Sequence, residues 1–220
     1  MKGFFITGTD TNIGKTVVSA ALLVHLRRQR SCCYWKPIQT GTTADDDTAT
    51  VRSLAGCGPS EILDAGVRLP DPVSPHLAAR LAGTSIETAP LLELAPASAQ
   101  DSLWIVEGAG GVLVPINDTQ MMIDLIVALH LPAIVVARTT LGTINHTLLT
   151  LEALRHREVP VAGLVMVGAS NLENREAIEH HGRVPVLGIM PWLAPLTPEA
   201  VSEWAQQALD PTGRLRGWVR

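Results

Sequence analysis

Short apolar runs alternate with longer stretches of helical periodicity along the chain. The runs are Gly3–Thr7, Cys32–Lys36, Leu103–Val106, Ala133–Ala137, Val161–Val167 and Val186–Met190. Each is continuously apolar rather than alternating, as in parallel strands covered by helices on both faces. Between them, helical patterns predict Lys15–Arg30, Asp47–Ala55, Pro75–Ala82, Thr119–His130, Thr143–Arg157, Asn171–His181 and Pro198–Leu209. Lys15–Arg30 is apolar over most of its surface and should be well buried. Thr143–Arg157 ends in a basic turn that suits the helix dipole, and Thr197 is placed to cap the last helix. Alternation of strand and helix predicts one doubly wound α/β domain over residues 1–220, with a mainly parallel sheet. Gly, Pro and Asp accumulate from Pro37 to Ser74, which reads as loops over the sheet edge.

Composition narrows the class. The 220 residues are 46% hydrophobic, which excludes wholesale disorder, and 17% charged, below the roughly 25% of soluble proteins. A net charge of −4 argues against a nucleic-acid protein held by a basic surface. Cys32, Cys33 and Cys57 form no CxxC spacing, so reduced thiols in a cytoplasm are expected. The apolar stretch Met121–Ala137 is broken by Asp124, His130 and Pro132, whereas a membrane span needs about 20 apolar residues. The N-terminal apolar run is too short for a signal peptide. Of 17 basic residues only Lys2, Lys15 and Lys36 are lysine.

Two of those lysines sit in chemical motifs. Gly8-Thr9-Asp10-Thr11-Asn12-Ile13-Gly14-Lys15-Thr16 follows a predicted strand and opens a predicted helix, the context of a phosphate-binding P-loop. Its first glycine lies one residue earlier than GxxxxGK[ST] requires. Backbone N–H groups of such a loop face phosphate oxygens, Lys15 reaches the β- and γ-phosphates, and Thr16 offers a hydroxyl to Mg²⁺. Lys36, in Trp35-Lys36-Pro37-Ile38-Gln39-Thr40-Gly41, ends the second strand, and ligands of open parallel sheets bind beyond that end. Asp47, the last of three consecutive aspartates, and Glu107, before Gly108-Ala109-Gly110-Gly111, are candidate Mg²⁺ partners. His180-His181 reads as a solvated helix end, and no metal-binding or Ser/His/Asp spacing occurs among the seven histidines.

Together these segments resemble the dethiobiotin synthetase family, within the P-loop NTPases. GTDTNIGKT at Gly8–Thr16, KPIQTG at Lys36–Gly41, VEGAGG at Val106–Gly111 and LGTINH at Leu141–His146 carry the likeness, with SPH at Ser74–His76 and MPWL at Met190–Leu193. The shifted glycine is itself a trait of that family. The resemblance implies an ATP-dependent cyclo-ligase of biotin biosynthesis that acts on 7,8-diaminononanoate and CO2 or bicarbonate. It implies Lys36, Lys15 and Thr11 as catalytic residues, and Thr16, Asp47 and Glu107 as the Mg²⁺ site. ATP is expected along the backbone of Asn12, Ile13, Gly14, Lys15, Thr16 and Val17, at Gly108, Ala109 and Gly110, and at Gly168, Pro191, Trp192 and Leu193. Thr11, Lys36, Thr40, Ser74 and Pro75 would meet the substrate. A homodimer is implied, with Leu141, Gly142 and Asn145 of the other subunit receiving the substrate carboxylate at a helix start.

The chain departs from the family pattern in two places. Val167 stands where the family often has an asparagine that reads adenine, so base recognition would fall to backbone groups of Gly168 and the Met190–Leu193 loop, with relaxed nucleotide selectivity. The aromatic residue expected against the substrate tail has Ile178 as its nearest match. Three rival readings remain: an amide synthase, for whose glutaminase domain 220 residues leave no room; a partitioning-type ATPase, whose extra early lysine is missing from Gly8–Thr11; and a non-catalytic nucleotide-binding module.

Overall fold

The computed structural model describes residues 1–94 and 102–219. Its strands are β1 (Lys2–Gly8), β2 (Cys32–Trp35), β3 (Ile38–Thr40), β4 (Ile62–Leu63), β5 (Val67–Leu69), β6 (Leu103–Gly111), β7 (Ala133–Arg138), β8 (Val161–Val167) and β9 (Val186–Met190). Its α-helices are α1 (Lys15–Leu26), α2 (Asp47–Ala55), α3 (Pro75–Leu81), α4 (Thr88–Glu93), α5 (Met122–Leu129), α6 (Thr143–His156), α7 (Leu172–Gly182) and α8 (Pro198–Gln207). Seven strands form one sheet in the order β4-β2-β6-β1-β7-β8-β9, every neighbouring pair parallel. From β1 the chain first moves towards β2 and later adds β7, β8 and β9 on the opposite side. The carboxyl end of β1 therefore lies at a topological switch point, where open α/β sheets bind their ligands.

Side-chain alternation divides the core into two layers. Phe4, Ile6, Cys32, Tyr34, Leu103 and Ile105 face α1, α2 and α8. Phe5, Cys33, Trp35, Trp104 and Val106 face the other way, against α3 to α7. Both layers are built mainly from buried apolar side chains, which explains the continuous apolar runs and the low fraction of charge. Trp35 and Trp104 meet edge to face across β2 and β6, with ring centres 6.5 Å apart.

Several expected boundaries shift. Residues 37–74 are not only loop: β3 and β5 pair in a small second sheet, and β4 extends the edge of the main one. These strands are two or three residues long, too short to give a periodic signal. Helix α1 stops at Leu26 rather than Arg30, and Lys36 lies one residue past β2. Strand β6 continues through the glycines to Gly111, because parallel pairing with β1 persists as far as Gly8. Helix α5 begins at Met122, since the side chain of Asn117 accepts backbone N–H bonds from Thr119 and Gln120 in a turn. Thr197 does cap α8, accepting the Ala200 N–H at 3.2 Å.

Candidate active site

The loop between β1 and α1 is shaped by two left-handed residues, Asn12 (φ 54°) and Gly14 (φ 95°). Such turns aim successive N–H groups into one concavity. Ile13 anchors the loop in the α1-side core. Asp10 binds the Thr11 N–H at 2.7 Å and pairs with Arg138 of β7 at 2.7 Å. Lys15 lies back along the loop, donating to the Asp10 carbonyl at 3.2 Å. Burial, then the neighbouring Lys36, pulls the Lys15 ammonium below the usual lysine range.

The period of two explains the rest of the centre. Tyr34 and Lys36 share one face beside β2, and Ile105 and Glu107 the same face of β6. Beyond the apolar row towards α1, the next places are therefore a cation and an anion. The Lys36 ammonium is 2.6 Å from Asp47 Oδ2, 2.8 Å from Glu107 Oε1 and 3.2 Å from the Gly108 carbonyl. It is 3% exposed. Burial alone would lower its pKa, but the Glu107 and Asp47 carboxylates outweigh that and raise it. For Asp47 burial works in the opposite direction, and the Lys36 ammonium holds its carboxyl below the usual range. Asp46 instead caps α2 through the Ala49 N–H, and the Asp45 carbonyl accepts from Gln39, so only Asp47 of the triple aspartate reaches the lysine.

Thr16 Oγ1 sits 2.8 Å from Asp47 Oδ1 and 3.0 Å from Glu107 Oε1. One hydroxyl proton can serve only one of these oxygens at a time. Three converging hard oxygens fit Mg²⁺, which takes one or two carboxylates and completes its octahedron with water and phosphate. Among the described residues no cluster of three or more His, Cys, Asp or Glu is placed to hold a metal. The fit thus rests on this hydroxyl and two carboxylates.

A cavity of about 710 Å³ opens over this centre. Thr11 to Val17, Lys36, Thr40, Asp47, Ser74, Pro75, Glu107, Ala109, Gly110 and Trp192 line it. Gly108 contributes its carbonyl to Lys36 from behind. Not every expected residue reaches the cavity. Pro191 and Leu193 flank Trp192 outside the lining, and Leu193 packs on the α1-side core. The Gly168 N–H donates to the Met190 carbonyl at 2.8 Å, so this backbone donor is not free for a base. Val167 is buried, its methyls 3.3 Å from where a Cβ on Gly14 would stand. Leu141, Gly142 and Asn145 are exposed outside this chain's own cavity, with Gly142 (φ 91°) at the start of α6. Ile178 is fully buried among core residues and has no surface to offer a substrate. His180 and His181 are exposed at the end of α7.

Composition and motif reading passes over Ser19, Tyr34 and Arg68. Ser19 Oγ and Tyr34 Oη donate to Glu107 Oε2 at 2.9 and 3.0 Å, and Arg68 holds the Lys36 carbonyl at 2.8 Å. Burial foremost, with the Glu107 charge, raises Tyr34 well above the usual phenol range. Ser19 follows Thr16 by three residues on α1, and Tyr34 precedes Lys36 by two. Those spacings were the available signal.

A parallel sheet with a left-handed glycine loop at its switch point, a lysine and threonine opening the next helix, and an acidic residue on the adjacent strand define a P-loop nucleotide-binding protein. The family model described as an AAA domain matches residues 2–200. The ATP-dependent dethiobiotin synthetase BioD of Paramagnetospirillum magneticum is 54% identical, over 85% of this chain and 86% of that one. Its counterpart in Agrobacterium fabrum is 48% identical over 91% of each. The chain belongs to the ATP-dependent dethiobiotin synthetase family and is an ATP-dependent ligase. Two solved structures share the fold at 11% identity: a ParA family ATPase from Chlorobium tepidum (TM-score 0.58, 94% of this chain and 98% of that one) and MinD in complex with MinC from Aquifex aeolicus (0.57, 94% and 95%). At that identity the likeness is one of fold alone. No helix among the described residues is long and apolar enough to cross a membrane.

Proposed function

We propose that this chain closes the ureido ring of dethiobiotin by phosphorylating a carbamate. One amine of 7,8-diaminononanoate takes up CO2 and loses a proton, giving a carbamate. A carbamate oxygen attacks the γ-phosphorus of ATP and ADP leaves, forming a carbamic–phosphoric anhydride. The second amine attacks the anhydride carbon, and inorganic phosphate departs as the ring closes.

The observation that carries this reading is the buried Lys36 ammonium, facing the same cavity as the phosphate loop. Both reactants are anions, so their approach needs cationic charge on each side. Lys15 and the loop N–H groups serve the triphosphate. Lys36 serves the carbamate oxygen and then the transferred phosphoryl group, and its raised pKa keeps it charged at neutral pH. Thr11, Thr40, Ser74 and Pro75 border the space for the diamine. Thr16, Asp47 and Glu107 are the residues that would hold Mg²⁺, whose charge would neutralise the β- and γ-phosphate oxygens. The exposed start of α6, with Leu141 fully exposed beside Gly142 and Asn145, suits a carboxylate brought by a second copy in a homodimer.

The test is ADP release and dethiobiotin formation from ATP, 7,8-diaminononanoate and bicarbonate. Both should require all three. ADP release that ignores the diamine would reject the reading.

A further inference from the structure

Glu107 is held more tightly than a metal-facing carboxylate requires. Its side chain is fully buried, and its two oxygens are used differently. Oε1 faces the site, 2.8 Å from Lys36 and 3.0 Å from Thr16. Oε2 turns into the layer between sheet and α1, where it accepts from Ser19 at 2.9 Å and Tyr34 at 3.0 Å. Both donors are themselves wholly buried, so no water replaces them at that oxygen.

We infer that Tyr34 and Ser19 are positioning residues for the ligase reaction, fixing the rotation of the Glu107 carboxylate so that a single oxygen meets Lys36, Thr16 and the nucleotide's metal. The inference rests on the proposed role of Glu107 in that site. A carboxylate has two equivalent oxygens, and with Oε2 unheld it can rotate about its last torsion, where the preference is broad. Rotation moves Oε1 away from the ammonium and the hydroxyl together. The two donors come from different elements, β2 and α1, so they also tie the strand that delivers Lys36 to the helix that delivers Thr16. Outer partners of this kind orient the ligand they touch without meeting the substrate.

Tyr34→Phe keeps the buried ring and removes only the hydroxyl. Ser19→Ala removes the other donor with little change of volume. Steady-state kinetics with ATP and 7,8-diaminononanoate, and Mn²⁺ titration in the presence of ADP followed by electron paramagnetic resonance, read the two consequences. In the double variant kcat and Mn²⁺ affinity should each fall by about 10- to 100-fold, approaching Glu107→Gln, with smaller losses in the single variants. KM for ATP, measured at saturating Mg²⁺, should stay within about threefold, because the loop backbone is untouched. A Tm and an ADP affinity close to wild type certify the fold; should the double variant fail that check, Tyr34→Phe alone is read in its place. Unchanged kcat and Mn²⁺ affinity in a folded variant overturn the inference. So does a KM for ATP that rises in step with the fall in kcat, the mark of a general loosening. Wild-type chain that makes no dethiobiotin would instead overturn the reading of function, while the Mn²⁺ titration still judges the positioning role.

Discussion

Lys36→Arg keeps the charge and changes only its shape. The lysine ammonium has three hydrogens and meets three acceptors: Asp47 Oδ2 at 2.6 Å, Glu107 Oε1 at 2.8 Å and the Gly108 carbonyl at 3.2 Å. Every donor is matched in a place that is 3% exposed. A guanidinium carries five donors in a plane. It can pair side-on with one carboxylate, but its remaining N–H groups would be left without partners in a buried volume. Each such donor costs about 1–3 kcal/mol, so a stability loss of a few kcal/mol is expected. The charge would also sit farther from β2 than the ammonium does and would crowd the carbamate oxygen. If Lys36 stabilises the transferring phosphoryl group, turnover should fall at least about a hundredfold, some 2.7 kcal/mol of barrier. The assay is single-turnover dethiobiotin formation at saturating ATP, beside nucleotide affinity from a fluorescent ADP analogue and Tm from calorimetry. Nucleotide affinity should change little, since the loop N–H groups and Lys15 remain. Turnover within about fivefold of wild type, in a folded variant, would refute the role given to Lys36.

Three further outcomes follow from single features. Val167 presents only methyls to the loop and the Gly168 N–H is already bonded, so neither offers the base a paired hydrogen bond. Such a contact is worth about 1–3 kcal/mol, and kcat/KM should accordingly favour ATP over CTP and GTP only modestly; a preference above about a thousandfold would reject this. The Asp47 carboxyl is held below the usual range by Lys36, so its ionised form stabilises the fold above the unfolded-state pKa, and that stability is lost as pH falls through the lowered folded value. In thermal scans, wild type should therefore lead Asp47→Asn near neutral pH and lose the lead in acid; parallel curves down to low pH would contradict it. A Cβ on Gly108 would stand 2.7 Å from Cε1 of Phe5, which is fully buried. Overpacking of this kind costs about 2 kcal/mol, so Gly108→Ala should lower Tm by about 4–8 °C, and an unchanged Tm would mean that the ring yields.

How much of this could be read beforehand depended on whether the signal was local. Continuous apolar runs gave the long parallel strands, and the glycine loop with Lys15 and Thr16 gave the switch point, because both patterns lie within a few residues. The small β3–β5 sheet was not legible, since two- or three-residue strands carry no period and their pairing joins Ile38 to Val67. Asp47 could be singled out as the first residue of a helix, and it is the aspartate that reaches Lys36. Tyr34 and Ser19 escaped notice for a different reason. Each looks like core filling on its own, and their meaning comes from Glu107, 73 and 88 residues away in sequence. The partner of the Gly168 N–H was not legible either, because the β8–β9 pairing that engages it is a long-range event.

The distribution of cations follows from the same geometry. Arginine serves this chain at half-exposed pairs: Arg138 with Asp10, Arg157 with Asp124 and Arg175 with Glu179. There a planar fork can leave its spare donors to water, and such pairs contribute little net stability. Lys15 and Lys36 lie where water is scarce and the groups to be met are phosphoryl and carboxylate oxygens from several directions. A compact ammonium on a flexible stem can turn its three hydrogens towards whichever oxygens are present. Before ligand arrives, the two lysines balance Asp47 and Glu107, two positive charges against two negative, so the buried centre is neutral overall. That balance lowers the cost of burying Lys15, Lys36 and Glu107 beside the partly exposed Asp47. On the proposed function, an incoming anion would then need no free charge; it would take over hydrogen bonds that a carbonyl or a carboxylate already holds in place.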